Sequence, residues 1–268
     1  MYQKLKIVVL AKQVPDTRNV GKNAMKEDGT VNRAVLPAIF NPDDMNALEQ
    51  ALRLKELLPN ATVEVLSMGP ERAADIIREG LFRGADGGIL LTDRAFAGAD
   101  TLATSYALAQ AIRRMQPDLV MAGRQAIDGD TAQVGPQVAE KLNWPQVTYA
   151  EDIAGFDGDR IIVKRRLENG VEQVAAPLPL VVTVHGSAAS CRPRHAKRLM
   201  KYKKAHIPQW GVDDVGGDRQ QYGLAGSPTR VKKIENIVFQ AKETRHLSAS
   251  QEEINGLIRE LINNHTIG

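Results

Sequence analysis

The chain has 268 residues, 43% hydrophobic and 25% charged, a balance that supports one large globular domain with an appendage, or two small domains. Its formal charge of +3, from 35 basic against 32 acidic residues, lacks the electropositive excess of a general nucleic-acid binder. The single cysteine, Cys191, excludes an intrachain disulfide, and no apolar run has the length of a membrane span or signal peptide, so a cytoplasmic protein is expected.

Leu5 to Ala11 reads as a buried strand broken only by Lys6, with Lys12, Gln13, Val14, Pro15 and Asp16 forming a polar turn at its carboxyl end. Thr17 to Ala34 is polar and irregular. A helix then opens with Asn41 at the N-cap, Pro42 at the first helical position, and Asp43 and Asp44 facing the positive end of the dipole. Leu48, Ala51, Leu52 and Leu58 give it an apolar stripe. Val63, Val65 and Leu66 make the second strand, ending in Ser67, Met68, Gly69 and Pro70; Ala73, Ala74, Ile77 and Leu81 face inward from the next helix. Gly88 to Leu91 is the third strand, and Asp100 caps a helix carrying Leu102, Ala103, Tyr106 and Ala109. Asp118 to Ala122 is the fourth, followed by a helix over Thr131 to Leu142. This alternation predicts an α/β fold, a mostly parallel sheet with helices on both faces.

The rhythm changes after Thr148. Arg160 to Leu167, a turn at Glu168, Asn169 and Gly170, then Val171 to Ala175 and Leu180 to Val184 read as antiparallel-like additions that complete the same sheet. Arg192, Arg194, Lys197, Arg198, Lys201, Lys203 and Lys204 form a basic segment, open to three readings: a solvated face, a dock for an acidic partner, or a nucleic-acid patch. Tyr202 is its one aromatic, so base stacking is poorly supported. Gly216 to Ala249 reads as an extended arm with little core of its own. At its end Ser250 and Glu253 have capping-box spacing, ahead of an apolar stripe of Ile254, Leu257, Ile258, Leu261 and Ile262. The expected division is therefore an α/β domain over 1–210 and a C-terminal arm with an amphipathic helix over 211–268, packing on a second subunit.

The chemistry concentrates between the fourth strand and its helix, in GRQAIDGDTAQVGP, Gly123 to Pro136. A strand-to-helix junction at the carboxyl edge of such a sheet presents unpaired amides and the positive end of a helix dipole, both suited to phosphate. Gly123 is assigned to the tight strand exit, Gly129 to close backbone approach, and the amides of Asp130 to Gln133 to the anion. Arg124 offsets nearby carboxylates, while Asp128 and Asp130 serve as turn formers or caps. The competing reading is a capped junction that binds nothing. No GxGxxG, GxxxxGK[ST] or GxSxG is present, and the five histidines show no metal-ligand spacing, so any chemistry belongs to a bound cofactor rather than to catalytic side chains. Glu49, Glu56 and Glu71 read as solvent-facing charges, and Cys191 as a plain free thiol rather than one activated by Arg192.

KQVPD at Lys12 to Asp16, NPDD at Asn41 to Asp44, SMGP at Ser67 to Pro70, GRQAIDGDTAQVGP, and VKRRLENGVEQVAAPLPLVVT at Val163 to Thr183 together resemble the beta subunit of electron-transfer flavoprotein. The resemblance implies a heterodimer with an alpha subunit carrying FAD. It also implies a nucleotide crevice built by Ala11, Lys12, Asn41, Pro42, Asp43, Asp44, Met68, Gly123, Arg124, Gln125, Ala126, Ile127, Asp128, Gly129, Asp130, Thr131, Ala132, Gln133, Val134 and Gly135. In ordinary carriers of this family the crevice holds AMP; in the electron-bifurcating branch it holds a second FAD reduced by NADH. GDTAQVGP resembles the bifurcating wording, where carriers have a bulkier acidic counterpart resembling DDDCNQTG. That branch implies electrons passed to ferredoxin and, through the alpha FAD, to an acyl-CoA dehydrogenase-like partner. One departure stands out: the family's NEPRY-like recognition loop is replaced by CRPRHAKRLMKYKKA, which keeps only Pro193 and Arg194 and leaves Leu199 as the nearest candidate for the recognition leucine.

Overall fold

A computed structural model describes residues 4–16, 36–229, 246–248 and 250–267; the irregular stretch read over Thr17 to Ala34 lies outside them. β1 (Lys6–Leu10) is followed by β2 (Gln13–Pro15), which pairs antiparallel with β3 (Ala38–Phe40) in a small ribbon. Then come α1 (Pro42–Leu57), β4 (Thr62–Met68), α2 (Ala74–Arg83), β5 (Gly87–Leu91), α3 (Thr101–Met115), β6 (Leu119–Gly123) and α4 (Val134–Leu142). β7 (Gln146–Asp157), β8 (Arg160–Leu167), β9 (Gly170–Pro177) and β10 (Leu180–Val184) follow, then α5 (Ala196–Tyr202), β11 (Gln209–Trp210), α6 (Val212–Val215) and α7 (Gln251–Asn263).

One nine-stranded sheet has the order β11-β5-β4-β1-β6-β10-β7-β8-β9. It is parallel from β11 to β7, with β8 and β9 antiparallel at the end. β1 alternates across it: Ile7 and Val9 join the core under α1 and α2, whereas Val8 and Leu10 join the core under α3 and α4. The order turns at β1, where β4 lies on one side and β6 on the other. At such a switch point the flanking loops part, and a crevice opens at the carboxyl ends of the strands.

Three local expectations change. Leu180 to Val184 is not antiparallel: β10 inserts parallel between β6 and β7, because its all-buried sequence fits the interior of the sheet. Leu102 is 39% exposed, since Asp100 starts the helix with that residue on its outer side. α4 begins at Val134 rather than Thr131, because Asp130 and Ala132 adopt left-handed φ of 50° and 52° and cannot be helical.

The basic segment is a clamp. Arg192 pairs with Glu49 at 2.9 Å and with Glu56, Arg194 pairs with Glu79 at 2.8 Å, and Arg198 donates to the carbonyls of Leu81 and Ala85. Its arginines thus bolt the chain from Cys191 to Tyr202 onto α1 and α2, and Glu49, 8% exposed, is no solvent-facing charge. Burial pushes the Cys191 thiol up to about 11, so it stays an unreactive thiol at neutral pH.

Part of the arm also has a core. Tyr222 is fully buried against Phe96 and Tyr106, with ring centroids 5.3 and 5.0 Å away. Asp100 holds the next turn, accepting from the Thr229 hydroxyl at 2.8 Å while its own amide donates to Ser227 Oγ at 2.8 Å. Residues 230–245 of the expected arm lie outside the described residues. α7 has no buried residue and carries Ile254, Ile258 and Ile262 as an exposed stripe. Its capping box is half formed: Ser250 Oγ accepts from the Glu253 amide, but the Glu253 carboxylate accepts from Ser248 rather than Ser250. Among the described residues no helix is long and apolar enough to cross a membrane.

Candidate functional site

The crevice predicted by the switch point is present as a cavity of about 400 Å³. Of the residues expected around it, Ala11, Lys12, Asp44, Met68, Gly123, Arg124, Gln125, Ala126, Gly129, Asp130, Thr131, Ala132, Gln133, Val134 and Gly135 line it. Asn41, Pro42, Asp43, Ile127 and Asp128 do not; most of these hold the wall from behind. The Asn41 side chain caps no helix: it donates to the Gln125 carbonyl at 2.8 Å and accepts from the Ile127 amide at 3.2 Å, fastening the loop to the start of α1. Lys12 Nζ reaches Asp128 at 2.7 Å, tying the end of β1 to the same loop.

Asp44 sits at the junction. One carboxylate oxygen accepts the Lys12 amide at 2.8 Å and the other the Gly123 amide at 3.0 Å, so a single buried side chain pins the ends of β1 and β6 together. Burial pushes this carboxyl up to about 7, against the pull of those amides and of Asn41. Asp43 is raised too, by burial, with Arg124, the Gln125 amide and His185 opposing the rise. Gly123 owes its identity to this junction rather than to the turn. A Cβ there would stand 2.5 Å from the Asp44 carboxylate and 2.6 Å from α1 backbone.

The loop after β6 spends its polar side chains on itself and its neighbours: Gln125 donates to Asp130 at 2.9 Å, and Thr101 Oγ1 donates to Gln133 at 2.9 Å. Part of its backbone is spent too: the Gly129 and Asp130 amides donate to the Ala126 carbonyl at 3.3 and 2.9 Å, which removes Asp130 from the amides expected to face the anion. The amides of Thr131 and Ala132, beside left-handed Asp130 and Ala132, have no hydrogen-bond partner among the described residues, a nest arrangement suited to an anion. Nothing lies within 4 Å of a Cβ built on Gly129. The buried Arg124 Nε likewise has no partner among the described residues. Gly135 is small for packing, since a Cβ would run into the Thr183 methyl.

Sequence reasoning missed the inner wall: Leu10, Leu66, Ala99, Asp100, Thr101, Thr104, Leu108 and Ala122. Leu10, Leu66 and Leu108 make it apolar, while Thr101 and Thr104 place hydroxyls on the first turn of α3. The available signal was Asp100, an N-cap accepting from Leu102 and Ala103, which marked a second helix start at the same sheet edge. Burial alone would raise Asp100, but the Ala103, Leu102 and Thr229 donors hold it below the usual carboxylate range. No His, Cys, Asp or Glu cluster among the described residues could hold a metal ion. An apolar inner end, two open amides and an unpaired guanidinium nitrogen suit a ligand with a flat apolar part and an anionic part.

Residues 28–215 match the family described as Electron transfer flavoprotein domain. The chain is 46% identical over 237 residues to the electron transfer flavoprotein subunit beta of Megasphaera elsdenii, covering 86% of this chain and 87% of that one. It is 45% identical to the caffeyl-CoA reductase-Etf complex subunit CarD of Acetobacterium woodii, over 85% of this chain and 86% of that one. To the acryloyl-CoA reductase electron transfer subunit gamma of Anaerotignum propionicum it is 40% identical, over 98% of this chain and 100% of that one.

Proposed function

The chain belongs to the electron transfer flavoprotein family, with the beta subunits as its relatives, and from that premise we propose that its cavity holds FAD in an electron-bifurcating complex. The observation that carries this reading is the room along the loop: nothing crowds Gly129, Ala132 is small, and the Thr131 and Ala132 amides have no partner among the described residues. A dinucleotide needs this room beyond its first phosphate. A bound FAD supplies hydride acceptance from NADH and release of electrons along two routes, to ferredoxin and, through the alpha-subunit FAD, to an acyl-CoA dehydrogenase-like partner. The chain's own residues bind and orient. The inner wall receives the base, the Thr131 and Ala132 amides and Arg124 receive the phosphates, and Asp44 fixes the two strand ends that carry them. The names of two relatives, each in a CoA-ester reductase complex, support that partner class. The exposed stripe of α7 suits packing of that C-terminal helix on the alpha subunit, while residues 212–229 pack on the α/β domain and belong with it.

The second reading is a non-bifurcating carrier with AMP in the cavity, favoured by a volume of about 400 Å³, near the lower end for ligand pockets. Extraction of the purified heterodimer separates the two. Two FAD and no AMP are expected, with flavin bleaching on NADH; one FAD with one AMP would replace the leading reading by the second. Gly129→Ala adds a methyl where the protein itself has none within 4 Å, so the melting temperature should hold. Retention of the AMP-displaceable nucleotide should fall about tenfold, roughly the 1.4 kcal/mol of one blocked backbone contact. Unchanged retention would remove Gly129 from the cradle.

A further inference from the structure

Tyr149 is an anomaly. It lies in β7 with φ of 59°, a left-handed conformation that a bulky aromatic residue seldom adopts. The pairing explains how: Val182 faces Val147 and Val184 faces Ala150, so Thr148 and Tyr149 together oppose the single residue Thr183. This is a β-bulge, a device that re-aims a side chain. It is braced from both sides. Arg165 donates to the carbonyl and hydroxyl of Thr148, both at 2.9 Å, and pairs with Glu172 at 3.0 Å, while the Tyr149 amide donates to Thr183 Oγ1 at 3.3 Å. Such bracing holds a strained conformation in place, yet the ring it presents is 37% exposed.

The ring has one described aromatic neighbour, His185, at 6.2 Å between centroids. His185 is itself fixed: its amide donates to the Ala150 carbonyl at 2.8 Å, and Nδ1 faces the Ser187 amide at 3.1 Å and hydroxyl at 2.9 Å, with Ser187 Oγ donating to Glu151 at 3.0 Å. Neither ring lines the cavity; the strand register relates the pair to Arg124, which does. Val184 of β10 faces Gly123 of β6 on one side and Ala150 of β7 on the other, and the Arg124 amide donates to the Val184 carbonyl at 2.8 Å. Arg124 is therefore level with His185 one strand away, while Tyr149, opposite Thr183 on the strand beyond, lies about two residues below that level and more than about 10 Å from Arg124 across two strand spacings.

We propose that Tyr149, with His185, forms a second subsite that receives the flat ring system at the far end of a dinucleotide whose phosphates lie on the loop at Arg124. The proposal rests on the dinucleotide reading above and adds a residue that selects FAD over AMP, since only the longer ligand reaches it. An exposed aromatic face binds a planar ring by stacking, without needing matched hydrogen bonds.

The test uses the heterodimer and the FAD that AMP can displace, with the FAD-to-AMP affinity ratio taken from competition titration. Tyr149→Gly removes the ring and also relaxes the left-handed backbone, so the melting temperature should stay or rise. The ratio should fall about tenfold with AMP affinity unchanged, and the bound flavin should lose fluorescence quenching. Tyr149→Phe should keep the wild-type ratio within twofold. A ratio unchanged in Tyr149→Gly would overturn the subsite, as would parallel losses of FAD and AMP affinity. Wild-type heterodimer that binds AMP and has no AMP-displaceable FAD would overturn the dinucleotide reading first, and the subsite with it.

Discussion

Arg192→Ala is expected to destabilise the protein by about 3 kcal/mol in urea denaturation, the largest loss from any single surface-accessible side chain described above. Glu49 is 8% exposed and receives the guanidinium through Nε and Nη2, both at 2.9 Å, as well as the Arg192 amide. Truncating the arginine leaves a largely buried carboxylate with the backbone amide alone. The figure is set below that of a fully enclosed pair because the Arg192 side chain keeps 28% of its exposure. Glu56, 61% exposed, should contribute little. Arg192→Lys should recover less than half of the loss, since an ammonium cannot make the forked contact. The double change Arg192→Met, Glu49→Leu should recover most of it, because the penalty comes from the stranded charge. A loss below about 1 kcal/mol in the alanine variant would show that the clamp is held by its apolar contacts instead.

Asp44→Ala is expected to cost a similar amount, about 2 to 4 kcal/mol, because it strands the buried Gly123 amide and the part-buried Lys12 amide. Asp44 also makes stability depend on pH. Its folded value of about 7 lies above the ordinary 3.8, so the folded state holds a proton that the unfolded chain releases. Its contribution is therefore complete below about pH 4 and is lost as the pH rises to about 7, with a slope of at most about 1.4 kcal/mol per unit. Asp44→Asn cannot titrate. Wild type should lose stability relative to that variant between about pH 4 and 7 and run parallel to it above. Curves that stay parallel across the window would place the Asp44 pKa outside it.

The same two residues show what was legible. The continuous apolar run of Leu5 to Ala11, the helical stripe of α1 and the Asp100 cap are local signals, carried within one element, and each reappears in the fold. The stretch from Gly123 to Gly135 was visible for the same reason, being a strand exit followed by a helix start. Asn41 stands at the N-cap as its sequence position indicates, but its side chain does not cap, because its partners, Gln125 and Ile127, lie more than eighty positions away. In the basic segment Arg192, Arg194 and Arg198 likewise meet distant partners, while Lys197, Lys201, Lys203 and Lys204 stay exposed, as a solvated face would have them. Charge density along the chain does not tell whether an arginine meets water or a buried glutamate.

The sequence by itself determined the class of fold, the edge of the sheet where the cavity opens, and the family, because hydrophobic period, caps and short motifs are written in neighbouring residues. Only the tertiary structure decided that Asp44 joins two strands, that α3 supplies the inner wall and that a braced bulge aims Tyr149 outward. Those features depend on residues far apart in the chain meeting across strands at about 4.8 Å spacing, and no local pattern encodes such a meeting.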